Sequence, residues 1–593
     1  MNWKQALFWV CVGAVLFYYF LLFGVFLFVR QEEMQLFVPA WWNVRAMLAR
    51  PGGFCEVAGQ WLIQYYRQPM WAVLFHTGLL VGCGYLIDGL SRVLSGGRSY
   101  LSLLTLCPVL YLARMSVRGE YLIDGTVGLL LMLLALQPLR GKRRSAAFLA
   151  GYGLGSTLLV AGCAGLLSVG YALVYALFAA LRYPGRRERL AAAVGLLPVS
   201  LICLFSGWLG IPVPLWEGWR AESYLEIQLQ PHYYINRVWT IFSLLLITVL
   251  ILARLLPVWE RESRWRKQLL FLLCSAALLL SAAFCRPEPW QAQRMMQDEL
   301  AFLAREGQWD AIIRKHVHQP IHNYVSLNYL NMSLARKGEL AERMFAFDQK
   351  GVKSLYADWN QTFYMDRLLS DVRFLVGDLA LSEGLAMDGF TQAKRHGSAP
   401  MMQRLTQISL LRGDSAVAGK YLKLLAAMPF YRDWAARYTR YLTHPERMAE
   451  EPELAGKRFP DAGRDRLGLS LADDSLWCYR DCAHARIAWE YAGCHYLLAK
   501  NLEGFARFLE KLPFAGDKTL PCHFQEAVLL LAERGDEPGG LAGVQPEVRQ
   551  RFEAFKQALR QSARQGDALA VRQAFGDTYW FYYYFKLFKG EKR

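Results

Sequence analysis

At 593 residues the chain is too long for one ordinary core, so two or more units are expected. Hydrophobic residues make up 54%, and the mean hydropathy is positive, which argues against a wholly soluble protein. The net charge of +17 sits largely in short loops between apolar runs, the imprint of membrane topology, so nucleic acid is set aside as a partner.

The apolar runs are confined to the first 285 residues. A spanning helix needs roughly 20 mostly apolar residues. Nine candidates are read, at about 7–29, 70–91, 99–114, 121–139, 145–162, 163–181, 190–209, 237–256 and 268–285. The fifth and sixth form one run, divided near Ala161-Gly162-Cys163 as a tight hairpin. The first run is too long for a signal-peptide core and lacks a small-x-small cleavage site, so it is read as a retained span. Loops on one side carry about 16 Lys and Arg, including Arg140, Arg143, Arg144, Arg186 and Arg187, against about 8 on the other. That bias places the N-terminus in the cytoplasm, and nine spans put the C-terminal half outside. In a Gram-negative cell this is the periplasmic face of the inner membrane. The expected organisation is a transmembrane helical domain over 1–285 and a periplasmic helical domain over 286–593.

The first span ends in "VRQEEMQLF", with Glu32 and Glu33 side by side. Residues 30–69 then form a long outer loop. Phe54, Val57, Ala58, Trp61, Leu62 and Tyr65 fall at helical spacing on one face, and Trp41, Val44 and Leu48 do so in an earlier stretch. Arg50-Pro51-Gly52-Gly53 separates the two, so two helices lying in the membrane interface are expected.

"YLIDG" occurs twice. Asp88 falls near the inner end of the second span and Asp124 near the outer start of the fourth. Asp124 therefore shares a side with Glu32 and Glu33, and with Arg114, Arg118 and Arg220 in the outer loops. Ionisable groups beside spans are costly and tend to mark function, although span ends are also charged simply because they meet water. Carboxylates can act as general bases or hold a divalent cation, and arginine forks match phosphate oxygens. Glu32, Glu33 and Asp124 are the candidate catalytic residues; Arg114, Arg118 and Arg220 are the candidate phosphate contacts.

An acid after the first span, two interfacial helices, a second span and a further acid between the third and fourth resemble in layout the GT-C glycosyltransferases that use polyprenyl-phosphate sugars. That likeness implies a lipid-linked sugar donor and chemistry by first-loop acids. The usual Asp-x-Asp or Asp-Glu signature is replaced here by Glu32-Glu33. "LFVPAWWNVRAMLARPGGFCEVAGQWLIQYY" and "FGDTYWFYYYF" resemble segments of an uncharacterised family of multi-span bacterial membrane proteins with a helical-repeat tail, which implies an architecture and no activity.

From about Arg286 charge becomes mixed. Helix, Gly turn, helix recurs around Gly307, Gly338, Gly377 and Gly413, at spacings of 31, 39 and 36 residues, with Asn501 in a degenerate later copy. Tetratricopeptide repeats, with a period near 34, are similar, so a TPR-like α-solenoid presenting a surface to protein partners is expected. Residues 445–475 break the pattern and read as a loop. The tail from Thr578 interleaves aromatics with Lys and Arg, suiting either the membrane interface or closure of the last repeat.

His316, His318 and His322, Cys478 and Cys482 with His484, Cys494-His495, and Cys522-His523 do not show zinc-site spacing, so no metal site is expected. Eight other cysteines lie in or near the apolar runs as small hydrophobes. No Walker-type loop, G-x-S-x-G elbow or H-E-x-x-H occurs. The expected fold is all-α: a polytopic bundle followed by the solenoid. Two functions stay open, a transferase acting on a lipid-linked envelope substrate and a membrane-anchored scaffold that binds envelope partners through its repeats.

Overall fold

The computed structural model describes the chain outside residues 1–2, 97–101, 119–120, 142–143, 184, 206–230, 261–263, 287, 318–320, 322, 394, 396, 458–485, 511–518, 536–542, 566–568 and 587–593. The described residues are helical, with a single isolated bridge between Gln35 and Arg395 and no strand. They divide into two compact units. The first comprises Met1–Asp298 with two short stretches, Ala393–Gly397 and Ala427–Tyr431; the second comprises Glu299–Gln392, Ser398–Ala426 and Arg432–Arg593.

The first unit begins with α1 (Trp3–Phe23) and α2 (Val25–Glu33), one apolar run bent at Gly24. A Cβ on Gly24 would stand 2.7 Å from the Phe28 ring, so glycine leaves room for that ring at the bend. α3 (Trp41–Leu48) and α4 (Gly53–Gln64) follow, separated as expected at Arg50–Gly53, where Gly52 takes φ +87°. Next come α5 (Pro69–Ser95), opened by proline at its first position, α6 (Ser102–Ser116), α7 (Ile123–Leu136), α8 (Ala146–Ala164) and α9 (Leu167–Arg182). The hairpin between α8 and α9 turns at Gly165, φ +55°, a few residues beyond the expected break.

α10 (Arg186–Ala193) and α11 (Leu197–Phe205) occupy the expected seventh span, which is broken at residues 194–196. α12 (Pro231–Glu260) and α13 (Arg264–Phe284) complete the apolar part. Among the described residues five helical segments are long and apolar enough to cross a membrane: Gln5–Phe23, Pro69–Ser95, Ile123–Arg140, Ala146–Ala164 and Arg237–Pro257. Ser102–Ser116, Leu167–Arg182 and Gln268–Phe284 are apolar but shorter. Nine membrane-length helices are thus not observed among the described residues; the seventh candidate, at about 190–209, passes through a 3-10 turn at 194–196 and runs past the described residues after Phe205. The outward faces are apolar, with Leu279 70% and Leu280 73% exposed, which suits a hydrocarbon surrounding better than water.

The second unit is built from helix pairs. α14 (Pro289–Arg305), whose last turns enter this unit, precedes α15 (Trp309–Val317); α16 (Tyr324–Arg336) precedes α17 (Leu340–Arg343). α18 (Phe363–Val376) pairs with α19 (Leu379–Gln392), and α20 (Ala399–Arg412) with α21 (Ser415–Ala426). At each of the four expected glycines the chain takes positive φ: Gly307 +66°, Gly338 +69°, Gly377 +92° and Gly413 +84°. The residue after each donates its N–H to the carbonyl five positions back, 2.8–2.9 Å, as from Asp378 to Arg373 and from Asp414 to Ser409. This Schellman closure ends the helix and needs a left-handed residue, which glycine supplies without a Cβ penalty. The degenerate copy uses the same device: Lys500 stands at φ +53°, and the Asn501 N–H reaches Tyr496 O at 2.9 Å.

α22 (Arg432–Thr443) continues the stack, followed by α23 (Arg486–Leu498), α24 (Leu502–Leu509), α25 (Cys522–Glu533), α26 (Pro546–Gln565), α27 (Leu569–Phe575) and α28 (Tyr579–Phe585). The later helices return onto the earlier ones, α17 packing against both α23 and α25. A plain linear array has contacts only between neighbouring repeats. This unit is an assembly of helix hairpins whose later members pack back on earlier ones, and the expected TPR-like solenoid is not established. The aromatic tail closes it: Trp580 Nε1 donates to Glu526 O at 2.8 Å and the Tyr582 hydroxyl to Leu498 O at 2.8 Å.

Candidate functional site

Glu32 and Glu33 do not lie in a loop. They form the last turn of α2 and are 2% and 3% exposed, with Arg30 and Gln31 buried beside them. Nine residues of helix after Gly24 carry these polar groups inward because Val25, Leu27, Phe28 and Val29 are buried along the same element. Asp124 opens α7 and is 6% exposed. It lies against α4: a Cβ on Gly59 would fall 2.5 Å from Asp124 Cβ and 2.9 Å from its Cα. Only glycine admits this approach.

Glu32 and Asp124 have partners that sequence reading did not find. The Tyr431 hydroxyl donates to Glu32 Oε1 at 2.8 Å, and the Arg67 guanidinium lies over the Tyr431 ring at 5.4 Å. Arg395 forms a buried ion pair with Asp124 Oδ2 through Nη2. The backbone fixes this arginine, since Leu36 N–H donates to Arg395 O at 2.9 Å beside the bridge to Gln35. Arg30 pairs with buried Asp298 at 3.5 Å. Glutamines fill the space between: Gln31 donates to Tyr121 O at 3.3 Å and Gln35 to Gln60 O at 3.2 Å. The result is a buried polar layer whose acids, guanidinia and amides come from α2, α4, α7 and the stretches 393–397 and 427–431. Asp124 Oδ1 is buried with no hydrogen-bond partner among the described residues.

The candidate phosphate contacts go elsewhere. Arg114 and Arg118 both donate to Glu288 Oε1, at 2.8 and 3.3 Å, and Arg114 also reaches Gln291 Oε1 at 2.7 Å. A phosphate would have to displace Glu288 from both. Arg220 lies outside the described residues. Asp88, from the other "YLIDG", is wholly buried among donors: Gln5 at 2.7 Å and Arg92 at 2.9 Å on Oδ2, Ser102 at 2.7 Å on Oδ1. It is a packing device joining α1, α5 and α6.

The face expected to be apolar on α4 points outward. Phe54 and Trp61 are exposed, while Cys55, Gly59, Gln60, Ile63 and Gln64 are buried. Trp41 and Trp42 on α3 are 71% and 64% exposed. His76 of α5, unnoticed in the sequence, is fully buried, accepting or donating at 3.0 Å with the Tyr66 hydroxyl and stacked on Phe28 at 4.0 Å.

One group among the described residues has metal-like geometry, Cys522, His523 and Glu526 in the second unit. Its atoms are otherwise engaged. His523 Nε2 accepts the Phe345 N–H at 3.3 Å, which leaves Nδ1 as the donor to Glu526 Oε2 at 2.9 Å. A metal on Nδ1 would need a hydrogen on Nε2, facing that N–H. Burial pushes the Cys522 thiol up to about 12, helped by Glu526 and Glu342. Through these bonds the cluster ties α25 to Phe345 and to Tyr579, whose N–H donates to Glu526 Oε2 at 2.7 Å. Cys494 is a buried free thiol, and His316 Nδ1 lies 2.7 Å from Ile312 O in its own helix. His318, His322, Cys478, Cys482 and His484 lie outside the described residues.

A model of the family described as Family of unknown function (DUF6057) matches residues 1–586. No curated protein and no solved structure matches the chain.

Proposed function

The chain belongs to that family over nearly its whole length, and from this premise we propose that it is a multi-pass protein of the bacterial inner membrane acting on a lipid-linked sugar at the outer face. In this reading the basic loops stay cytoplasmic, the shorter apolar helices and the interrupted seventh stretch join the five long ones to make nine spans, and the TPR-like unit is periplasmic. The exposed tryptophans of α3 and α4 support a position in the membrane interface.

The observation that carries the enzymatic reading is the burial of Glu32, Glu33 and Asp124 in one polar layer at the ends of apolar helices. Charged groups are kept in such a place at a cost of several kcal/mol, about what a buried ion pair must recover. Asp124 has one oxygen held by Arg395 and one without a partner among the described residues, the geometry of an oriented base. In the proposed reaction Asp124 takes the proton of an acceptor hydroxyl as its oxygen attacks the sugar's anomeric carbon. The bond from that carbon to the phosphate oxygen breaks, and the lipid phosphate leaves. Arg395, beside the base, is better placed for that phosphate than Arg114 or Arg118. A divalent cation in this layer would compete with the donors already on Glu32 and Asp124.

The test is complementation of a null strain by Asp124→Asn and by the Glu32→Gln/Glu33→Gln double variant at matched membrane abundance. Loss of function at matched abundance is expected; full rescue by both removes the transferase reading. Deleting the C-terminal half is not a clean test, because residues 393–397 and 427–431 belong to the first unit.

A second reading, a scaffold for envelope partners, is favoured by the four glycine-closed helix hairpins. In-cell photo-crosslinking from exposed positions such as Met387 should then capture one defined partner; no discrete adduct from any such position argues against it.

A further inference from the structure

A cavity of about 70 Å³ opens between α9 and α12 in the apolar part of the first unit. Leu167, Gly170 and Leu173 form one wall, Trp239, Ser243 and Leu244 the other. Its rim is greasy and outward-facing, with Leu173 50% and Leu244 58% exposed. Its Trp239 end is fixed. Trp239 Nε1 donates to Gly125 O at 2.9 Å, one residue from Asp124. A Cβ on Gly128, the next turn of α7, would meet Trp239 at 3.2 Å and Leu167 at 3.4 Å. From Trp239 to Ile247 the groove runs about 12 Å along α12.

One polar atom breaks the apolar lining. Ser243 is 7% exposed, and its Oγ is buried with no hydrogen-bond partner among the described residues. A helical serine ordinarily bonds back to the carbonyl four residues earlier. Here the hydroxyl faces Gly170, where a Cβ would stand only 2.7 Å away. Absence of a side chain at Gly170 keeps the space beside the hydroxyl open. A buried donor left over in an otherwise apolar wall calls for an acceptor from outside the protein.

We propose that this groove binds one acyl-ester lipid, the Ser243 hydroxyl donating to an ester carbonyl and one acyl tail lying between Leu173 and Leu244. The ligand needs an acceptor at the depth of Ser243 and hydrocarbon beyond it, and an ester-linked membrane lipid has both in that order. A helix of a second copy would cover the leucines, but its carbonyls lie beneath its own side chains, whereas the ester carbonyl of a slim chain can enter the space left at Gly170. This site is independent of the transferase reading.

The test uses the full chain in detergent, stripped of lipid and titrated by native mass spectrometry with 1-palmitoyl-2-oleoyl-phosphatidylglycerol or its diether analogue. One ester lipid per chain is expected to bind more tightly than the diether. Ser243→Ala should weaken the ester lipid about fivefold, one neutral hydrogen bond, and leave the diether unchanged. Leu173→Trp, at a rim position that is 50% exposed, should abolish retention of both. Equal retention by Leu173→Trp and the parent chain overturns the proposal. So does an unchanged ester-to-diether ratio in Ser243→Ala, or a dimer that Leu173→Trp dissociates.

Discussion

Removing one member of the Asp124–Arg395 pair should cost far more than removing both. The two side chains are 6% and 7% exposed, and the pair is held by a backbone hydrogen bond from Leu36 and by the close approach of Gly59. Arg395→Leu leaves a carboxylate in the layer with neither oxygen answered by that guanidinium. Breaking a buried pair in this way costs about 3–5 kcal/mol, because the desolvation already incurred is no longer repaid. For a unit of roughly 300 residues this is a fall in Tm of about 5–8 °C. Asp124→Leu alone strands the guanidinium and should cost a similar amount. The double variant, with two apolar groups facing each other, should recover most of the loss, giving a coupling energy of about 2–3 kcal/mol. Thermal unfolding of the four proteins in one detergent, followed by tryptophan fluorescence, measures the cycle. Additive losses would refute the reasoning, since they would mean that the two groups do not share a buried site.

Gly59→Ala should destabilise the first unit by about 1–3 kcal/mol, because the new methyl meets the Asp124 backbone rather than a movable side-chain end; an unchanged Tm would count against the close crossing of α4 and α7. Tyr431→Phe removes the donor to Glu32 and should cost about 1–3 kcal/mol, read by the same unfolding assay. In the second unit, burial raises the Asp366 carboxyl from 3.8 to about 6, opposed by the Trp359 indole N–H and aided by the Asp388 charge. A folded-state pKa above the unfolded one means that the folded unit holds the proton more tightly. Its stability should therefore fall by about 1–2 kcal/mol as pH rises from about 4 to 6, and Asp366→Asn should remove that slope. The Cys522 thiol, pushed up to about 12, should resist iodoacetamide at pH 7.5 in the folded chain and react after unfolding.

How much of this was legible in the chain depends on the range of the interaction. The glycine turns at 307, 338, 377 and 413 were visible because a left-handed helix end is a local demand that one residue type meets. The apolar runs and the break at Arg50–Gly53 were visible for the same reason: hydropathy and turn chemistry act over a few residues. The place of Glu32 and Glu33 was half visible. Their position after an apolar run is in the sequence, but whether a charged last turn points to water or inward depends on what else packs there.

The partners of those acids were not visible at all. Arg395 sits 271 residues from Asp124, and Tyr431 sits 399 from Glu32. Neither lies in a motif, because an ion pair requires only that two charges arrive at the same place. The same holds for Gly59, whose missing side chain matters only because Asp124 crosses it, and for Arg114 and Arg118, which looked like free phosphate forks until Glu288 was found on both. Taken alone, the sequence determined an all-helical chain, apolar in its first half and turned by glycine in its second, since periodicity and backbone preference are local properties. Tertiary structure decided which charges are buried, which donors hold them and that the second half closes on itself, since these follow from contacts between residues that nothing in the chain order brings together.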